Sequence, residues 1–169
     1  EDGTEDTSFS LAPEATATGS VGLNADMQIG ADNAIYIVNN GWSDQHIVKL
    51  NNDGSLFTSF ANNGVLAIPQ PITEYGLYLQ RVQIDDSGDL VVIGYLTDMM
   101  TGYGQGKYLL KISEDGIIDP DYGQSLQVTT YNDANTFNFS NSWTSLQSDG
   151  KLLCYEFIVN WVDQNTVDY

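Results

Sequence analysis

The chain has 169 residues, 41% of them hydrophobic and 11% aromatic, which suffices for one folded domain with a sizeable core. Its 23 acidic and five basic side chains give a formal charge of −18, and Lys49, Arg81, Lys107, Lys111 and Lys151 do not cluster. Phosphate binding draws its free energy from clustered cations, so nucleic acid is excluded as a partner and an anionic membrane surface is disfavoured.

A charge this negative keeps a protein soluble but adds self-repulsion that salt or divalent cations relieve, which fits an extracellular or cell-surface setting. Cys154 is the only cysteine, so no intramolecular disulfide forms. Its place in the apolar run LLCYEFIV points to a buried, inert thiol. No run approaches the ~18 apolar residues of a membrane helix, and membrane insertion is not expected. The first residue is Glu1, which suggests a processed or trimmed product.

Residues 1–22 are rich in Thr, Ala, Ser and acid and show no sustained period, so they read as an acidic linker or a loosely held strand. From Met27 onward, short apolar runs alternate with Asn, Asp, Gly and Ser, without helical spacing. The predicted class is all-β, with residues 23–169 as tandem copies of one unit.

Two segments recur. KLNNDGSLFTSF at 49–60 matches KISEDGIIDPDY at 111–122, an offset of 62 residues from 49 to 111. QIGADNAIYIV from Gln28, QIDDSGDLVVI from Gln83 and SLQSDGKLLCY from Ser145 each place a polar turn before an apolar strand. The turns centre on Asn33, Gly88 and Gly150. A two-residue hairpin needs positive φ, which Gly accepts freely and Asn better than most residues.

Within one period the expected order is strand 79–84, turn, strand 89–96, loop 97–106, strand 107–113, turn, loop, then strand 126–131, four antiparallel strands in all. The second strand, LVVI at 90–93 or LLCY at 152–155, is continuously apolar, so both its faces should be covered. Sheets stacked face to face supply that cover, as in the radial blades of a β-propeller. About two and a half units fit this chain, so a ring would be completed by a longer chain or by associating copies; an open stack capped by the N-terminal segment is the third option.

These elements resemble the delta-60 repeat family of bacterial β-propeller proteins, in which an "LN-DGSLD-SFG-GG" element is followed after a strand by "LQ-DGKILVAG". KLNNDGSLFTSFANNGVL at 49–66 and LQSDGKLLCYEF at 146–157 carry the resemblance, and KISEDGIIDPDYGQS and VQIDDSGDLVVIGY are weaker copies. Phe57 stands where the family often has Asp, Ala61 where it has Gly, and Asn33 occupies the first turn. The resemblance implies a secreted or surface-attached bacterial propeller of largely unassigned role.

The chemistry-bearing residues are few. His46 is the only histidine, which removes His-based dyads, triads and multi-histidine zinc sites; it reads as a polar strand-edge residue. Asp85, Asp86, Ser87 and Asp89 offer hard oxygens that suit calcium, but DDSGDL lacks the spacing of an EF-hand loop and reads first as a turn. Asp119 and Asp121 around Pro120 read the same way. Trp42, Tyr75, Tyr78, Tyr95, Tyr103 and Trp143 fall near strand ends or loops, where they could stack on sugars or pack sheet on sheet. Asn138 begins a glycosylation pattern that means little in a bacterial protein.

With no catalytic constellation and no cofactor, calcium apart, the reading is a non-enzymatic binding or structural module. Its expected partners are a protein, a surface polymer, carbohydrate or another copy of the chain. The alternatives are a propeller hydrolase or lyase using clustered carboxylates and a carbohydrate-binding propeller.

Overall fold

The structure, a computed structural model, describes residues 3–15, 26–40, 45–71, 73–100, 104–122, 136–137, 143–147, 151–155, 159–163 and 166–168. It is all-β and antiparallel, and the 3-10 turn Pro13–Ala15 is the one helical element among the described residues. No helix among them is long and apolar enough to cross a membrane.

The strands are β1 (Met27–Ile29), β2 (Ile35–Asn40), β3 (Gln45–Leu50), β4 (Val65–Ala67), β5 (Tyr75–Ile84), β6 (Leu90–Asp98), β7 (Gly104–Ile112), β8 (Thr136–Phe137), β9 (Trp143–Leu146), β10 (Leu152–Tyr155), β11 (Val159–Asp163) and β12 (Thr166–Asp168). They form a four-stranded meander β1-β2-β3-β4, a three-stranded meander β5-β6-β7, a hairpin β10-β9 and a sheet β12-β11-β8.

The three turn-strand segments adopt one hairpin register. Ile29 pairs with Ile35, Ile84 with Leu90 and Leu146 with Leu152. The same closing bond recurs, from Gly30 N to Ala34 O, Asp85 N to Asp89 O and Gln147 N to Lys151 O. Asn33 and Gly88 have φ of 62° and 88°, as a tight turn requires; Gly150 lies outside the described residues.

The segments at 49–60 and 111–122 also correspond bond for bond. Asn51 N bonds Ser55 O as Ser113 N bonds Ile117 O, and Phe57 N bonds Lys49 O as Asp119 N bonds Lys111 O. Leu50 bridges Leu56 as Ile112 bridges Ile118. Gly54 and Gly116 have φ of 87° and 85°.

One apolar cluster joins the first two sheets. It holds Ala34, Tyr36, Val38 and Ile47 of the first against Leu77, Leu79, Val82, Leu90, Val92, Leu110 and Ile112 of the second, with Phe60 and Ile68 closing it. Ile35, Ile37, Val48 and Leu50, on the other face of the first sheet, meet Ala12 and Ala15. Leu90 and Ile112 are the counterparts of Ile35 and Leu50 at offsets of 55 and 62 residues. Opposite faces therefore meet at the joint: the second sheet repeats the first sheet's orientation instead of mirroring it. Val91 and Ile93, on its far face, are also buried.

Polar bonds pin the joint. Leu79 N donates to Asn40 Oδ1 at 2.7 Å, and Asn40 Nδ2 returns a bond to Leu79 O. Gln45 Nε2 donates to Leu77 O at 2.8 Å and Val82 N to Asp26 Oδ2 at 2.9 Å.

Several expectations are corrected. β6 runs to Asp98 and β7 starts at Gly104, so half of the loop expected at 97–106 is strand, because Thr97 pairs with Gly104 across a bulge. β5 starts at Tyr75, four residues before the expected strand, since Tyr75 to Tyr78 pair with Asp98 to Tyr95. Leu153 of LLCY is exposed, so the cover expected on both faces of that strand is missing at this residue. His46 is no strand-edge residue: β3 lies between β2 and β4, and all its residues are buried. The strand expected at 126–131 lies outside the described residues.

Candidate functional site

The acidic turn after β5 is organised around a cation supplied by the chain. Asp85 Oδ1 accepts bonds from Ser87 N at 2.9 Å and Asp89 N at 3.0 Å, which closes the turn. Its other oxygen and Asp89 Oδ2 take Lys111 Nζ at 2.8 Å and 3.1 Å. Val91 opposes Lys111 across β6 and β7, which carries the ammonium to the turn. Burial alone would push the Asp85 carboxyl up, but the Lys111 bond and the two turn amides outweigh it and hold it below the ordinary range. The same bonds from Asp85 and Asp89 lift Lys111 to about 12.

Asp86 points to solvent and joins neither bond set. Among the described residues no group of three or more His, Cys, Asp or Glu could hold a metal ion. A calcium ion at Asp85 and Asp89 would have to displace the Lys111 ammonium. The pair Asp119 and Asp121 forms a turn, in which Asp121 N donates to Asp119 Oδ1 at 2.9 Å.

Lys49, the counterpart of Lys111, has a different environment and was not singled out by sequence. It is 3% exposed, with Nζ 4.2 Å from the Phe57 ring centroid and 5.0 Å from that of Tyr36. Asp32 Oδ2 lies 3.6 Å away, and Nζ donates to Glu114 O at 3.4 Å. Phe57 supplies the nearer of the two aromatic faces. His46 Nε2 lies 3.0 Å from Asn39 Nδ2 and 3.4 Å from Glu14 O, so the lone histidine anchors the N-terminal segment.

Tyr78 and Tyr95 stack at 5.1 Å between centroids and 12° between planes. Burial, then the Tyr78 neighbour, push the Tyr95 phenol up. Tyr75 packs on the joint between the sheets. Cys154 and Trp143 lie on β10 and β9, but their side chains are outside the described residues, as are Trp42, Tyr103 and Asn138.

The N-terminal segment holds what sequence reading missed, a third copy of the Asp-Gly element. DGTEDTSFS at 2–10 aligns with DGSLFTSFA at 53–61, an offset of 51 residues. Gly3 has φ of 75°, like Gly54 and Gly116. Ser8 N donates to Asp6 Oδ1 at 2.9 Å, as Asp121 N does to Asp119. Phe9 N bonds Asp6 O as Phe60 N bonds Phe57 O, and Ser10 N reaches Asp53 O as Ala61 N reaches Asp115 O. The shared Thr-Ser-Phe after Asp-Gly was the available signal.

No family model, curated protein or solved structure matches the chain.

Proposed function

We propose that the chain is a non-enzymatic binding or structural module, built from repeated sheets stacked as in a β-propeller of the delta-60 kind. It presents its turns to a partner protein or surface polymer outside the cell. The observation that supports this reading most is the orientation of the stack. Opposite faces of equivalent sheets meet at the joint, which is how consecutive blades stack and is unlike a sandwich with two equivalent inner faces. The glycines and Asn33 at the turns, which the pattern needs, fit the same reading.

The non-enzymatic part rests on the acidic turn. Asp85 and Asp89 spend their charge on Lys111, and Asp85 Oδ1 also takes the turn amides of Ser87 and Asp89, so neither is poised as a general acid or base. The formal charge of −18 suits a salty exterior.

The test is a glycan and peptide panel read for both binding and turnover, with the wild type and a variant carrying Asp85→Asn, Asp86→Asn and Asp89→Asn. Binding without turnover supports the module. Turnover that the folded triple variant lacks overturns it.

A further inference from the structure

We infer that copies of this chain associate head to tail, with Phe9 of one copy seating on Leu153 of the next. The inference rests on the stacked-sheet reading above and adds the residues that make the contact.

The joint inside the chain is the template. After the Asp-Gly element of the first unit, Phe60 turns inward, is fully buried and meets Tyr36 edge to face at 6.0 Å. The next residue, Ala61, hydrogen-bonds Asp115 of the following Asp-Gly element. One joint therefore has two halves: a Phe on the closing loop, and an apolar residue at the second position of the strand after the hairpin turn.

Both halves recur, and there they are uncovered. Phe9 is the counterpart of Phe60, and Ser10 makes the bond to Asp53 that Ala61 makes to Asp115. Yet Phe9 is 40% exposed and Leu11 beside it 42%. Leu153 is the counterpart of Tyr36: it pairs with Ser145 as Tyr36 pairs with Gln28. It is 60% exposed. Two apolar surfaces that fit each other through the geometry of an existing joint, on different parts of one chain, make a heterologous contact. The partner is a second copy of this chain.

Electrostatics sets the condition. Copies that each carry a formal charge of −18 repel, so association strengthens with salt. Sedimentation velocity over a wide concentration range reads this at about 0.15 M and about 1 M NaCl, where the screening length falls from ~8 to ~3 Å. The wild type is expected to form species larger than the monomer, more so at high salt. Phe9→Glu and Leu153→Glu are each expected to raise the dissociation constant about tenfold or more. A heterologous contact has two different halves, so the two variants mixed should form a dimer that neither forms alone. Circular dichroism and thermal melting verify their folds, and Phe9→Ala with Leu153→Ala give the same comparison without added charge.

A wild type that stays monomeric throughout, or variants that fail to pair when mixed, overturns the inference. The Phe60→Ala variant separates it from the stacked-sheet reading. If that variant is strongly destabilised while the chain stays monomeric, only the contact between copies is lost. If Phe60 proves dispensable, the stacking itself fails.

Discussion

Phe60 meets Tyr36 edge to face, centroids 6.0 Å apart and planes at 77°, between two sheets that touch through opposite faces. Neither ring is reachable by solvent to any useful degree. Truncating Phe60 leaves a cavity at the joint and removes an aromatic pair, so Phe60→Ala is expected to cost about 3–5 kcal/mol of stability. Phe60→Leu should cost less, since it keeps most of the apolar volume. Urea denaturation followed by tyrosine and tryptophan fluorescence checks both, and a loss under about 1 kcal/mol for the alanine variant would show that this joint does not hold the sheets.

The positive-φ glycines of the tight turns make a graded comparison. A Cβ on Gly116 would lie 2.6 Å from Ala61 Cβ, and one on Gly54 2.5 Å from Ser10 O, each with positive φ. At Gly88, also at positive φ, the nearest atom is the Glu114 side chain at 3.7 Å. Gly88→Ala should therefore cost only the backbone term, about 1–2 kcal/mol, and Gly54→Ala and Gly116→Ala distinctly more. Gly88→Asn should be milder than Gly88→Ala, because Asn33 already holds that place in the first hairpin with φ of 62°. Thermal melts of the four variants give the ranking, and equal costs at Gly88 and Gly116 would contradict the close approach of Ala61.

Local turn chemistry was legible because it is written in residue type: Asn33, Gly88, Gly54 and Gly116 announce positive φ, and their spacing announced the recurrence. Strand length was not legible, since the start of β5 and of β7 depends on pairing across bulges at Leu79/Arg81 and Leu96/Thr97, which no composition signals. The N-terminal copy was hidden by the Thr/Ala-rich stretch that follows it. His46 and Lys49 were misjudged or overlooked for one reason: both are polar residues on a strand buried on both faces, and their partners Asn39, Glu14 and Glu114 lie seven to 65 residues away in sequence.

The Lys111 site predicts a pH dependence. Asp85 has a folded pKa below its ordinary 3.8, so its contribution is present above that value and is lost as pH falls through the lowered pKa. Lys111 is raised to about 12, so its contribution is full below its unfolded value of ~10.4 and is lost as pH rises through about 12. Asp85→Asn keeps an acceptor for the turn amides and removes the charge, so it should cost about 1–2 kcal/mol at neutral pH. The gap to the wild type should close in strong acid and again at strongly alkaline pH. Denaturation midpoints measured across pH test this, and a constant gap would place the effect in the turn and not in the ion pair.

Lys49 and Lys111 hold the same position in the matching segments 49–60 and 111–122, so their substitutions should differ in sign for reasons that lie wholly in their surroundings. Lys49 lies over the Phe57 and Tyr36 rings with one distant, half-solvated carboxylate, Asp32. Methionine fills the same space without a charge to desolvate, so Lys49→Met should be neutral within about 1 kcal/mol or stabilising. Lys49→Glu turns a carboxylate toward the ring faces and Asp32 and should cost about 3–5 kcal/mol. Lys111→Met instead leaves Asp85 and Asp89 facing each other with no counterion, and should cost about 1–2 kcal/mol at neutral pH, less in acid where one carboxyl protonates. Urea midpoints for the three variants decide the matter: a Lys49→Met loss as large as that of Lys111→Met would mean that the buried ammonium does more than cover the two rings.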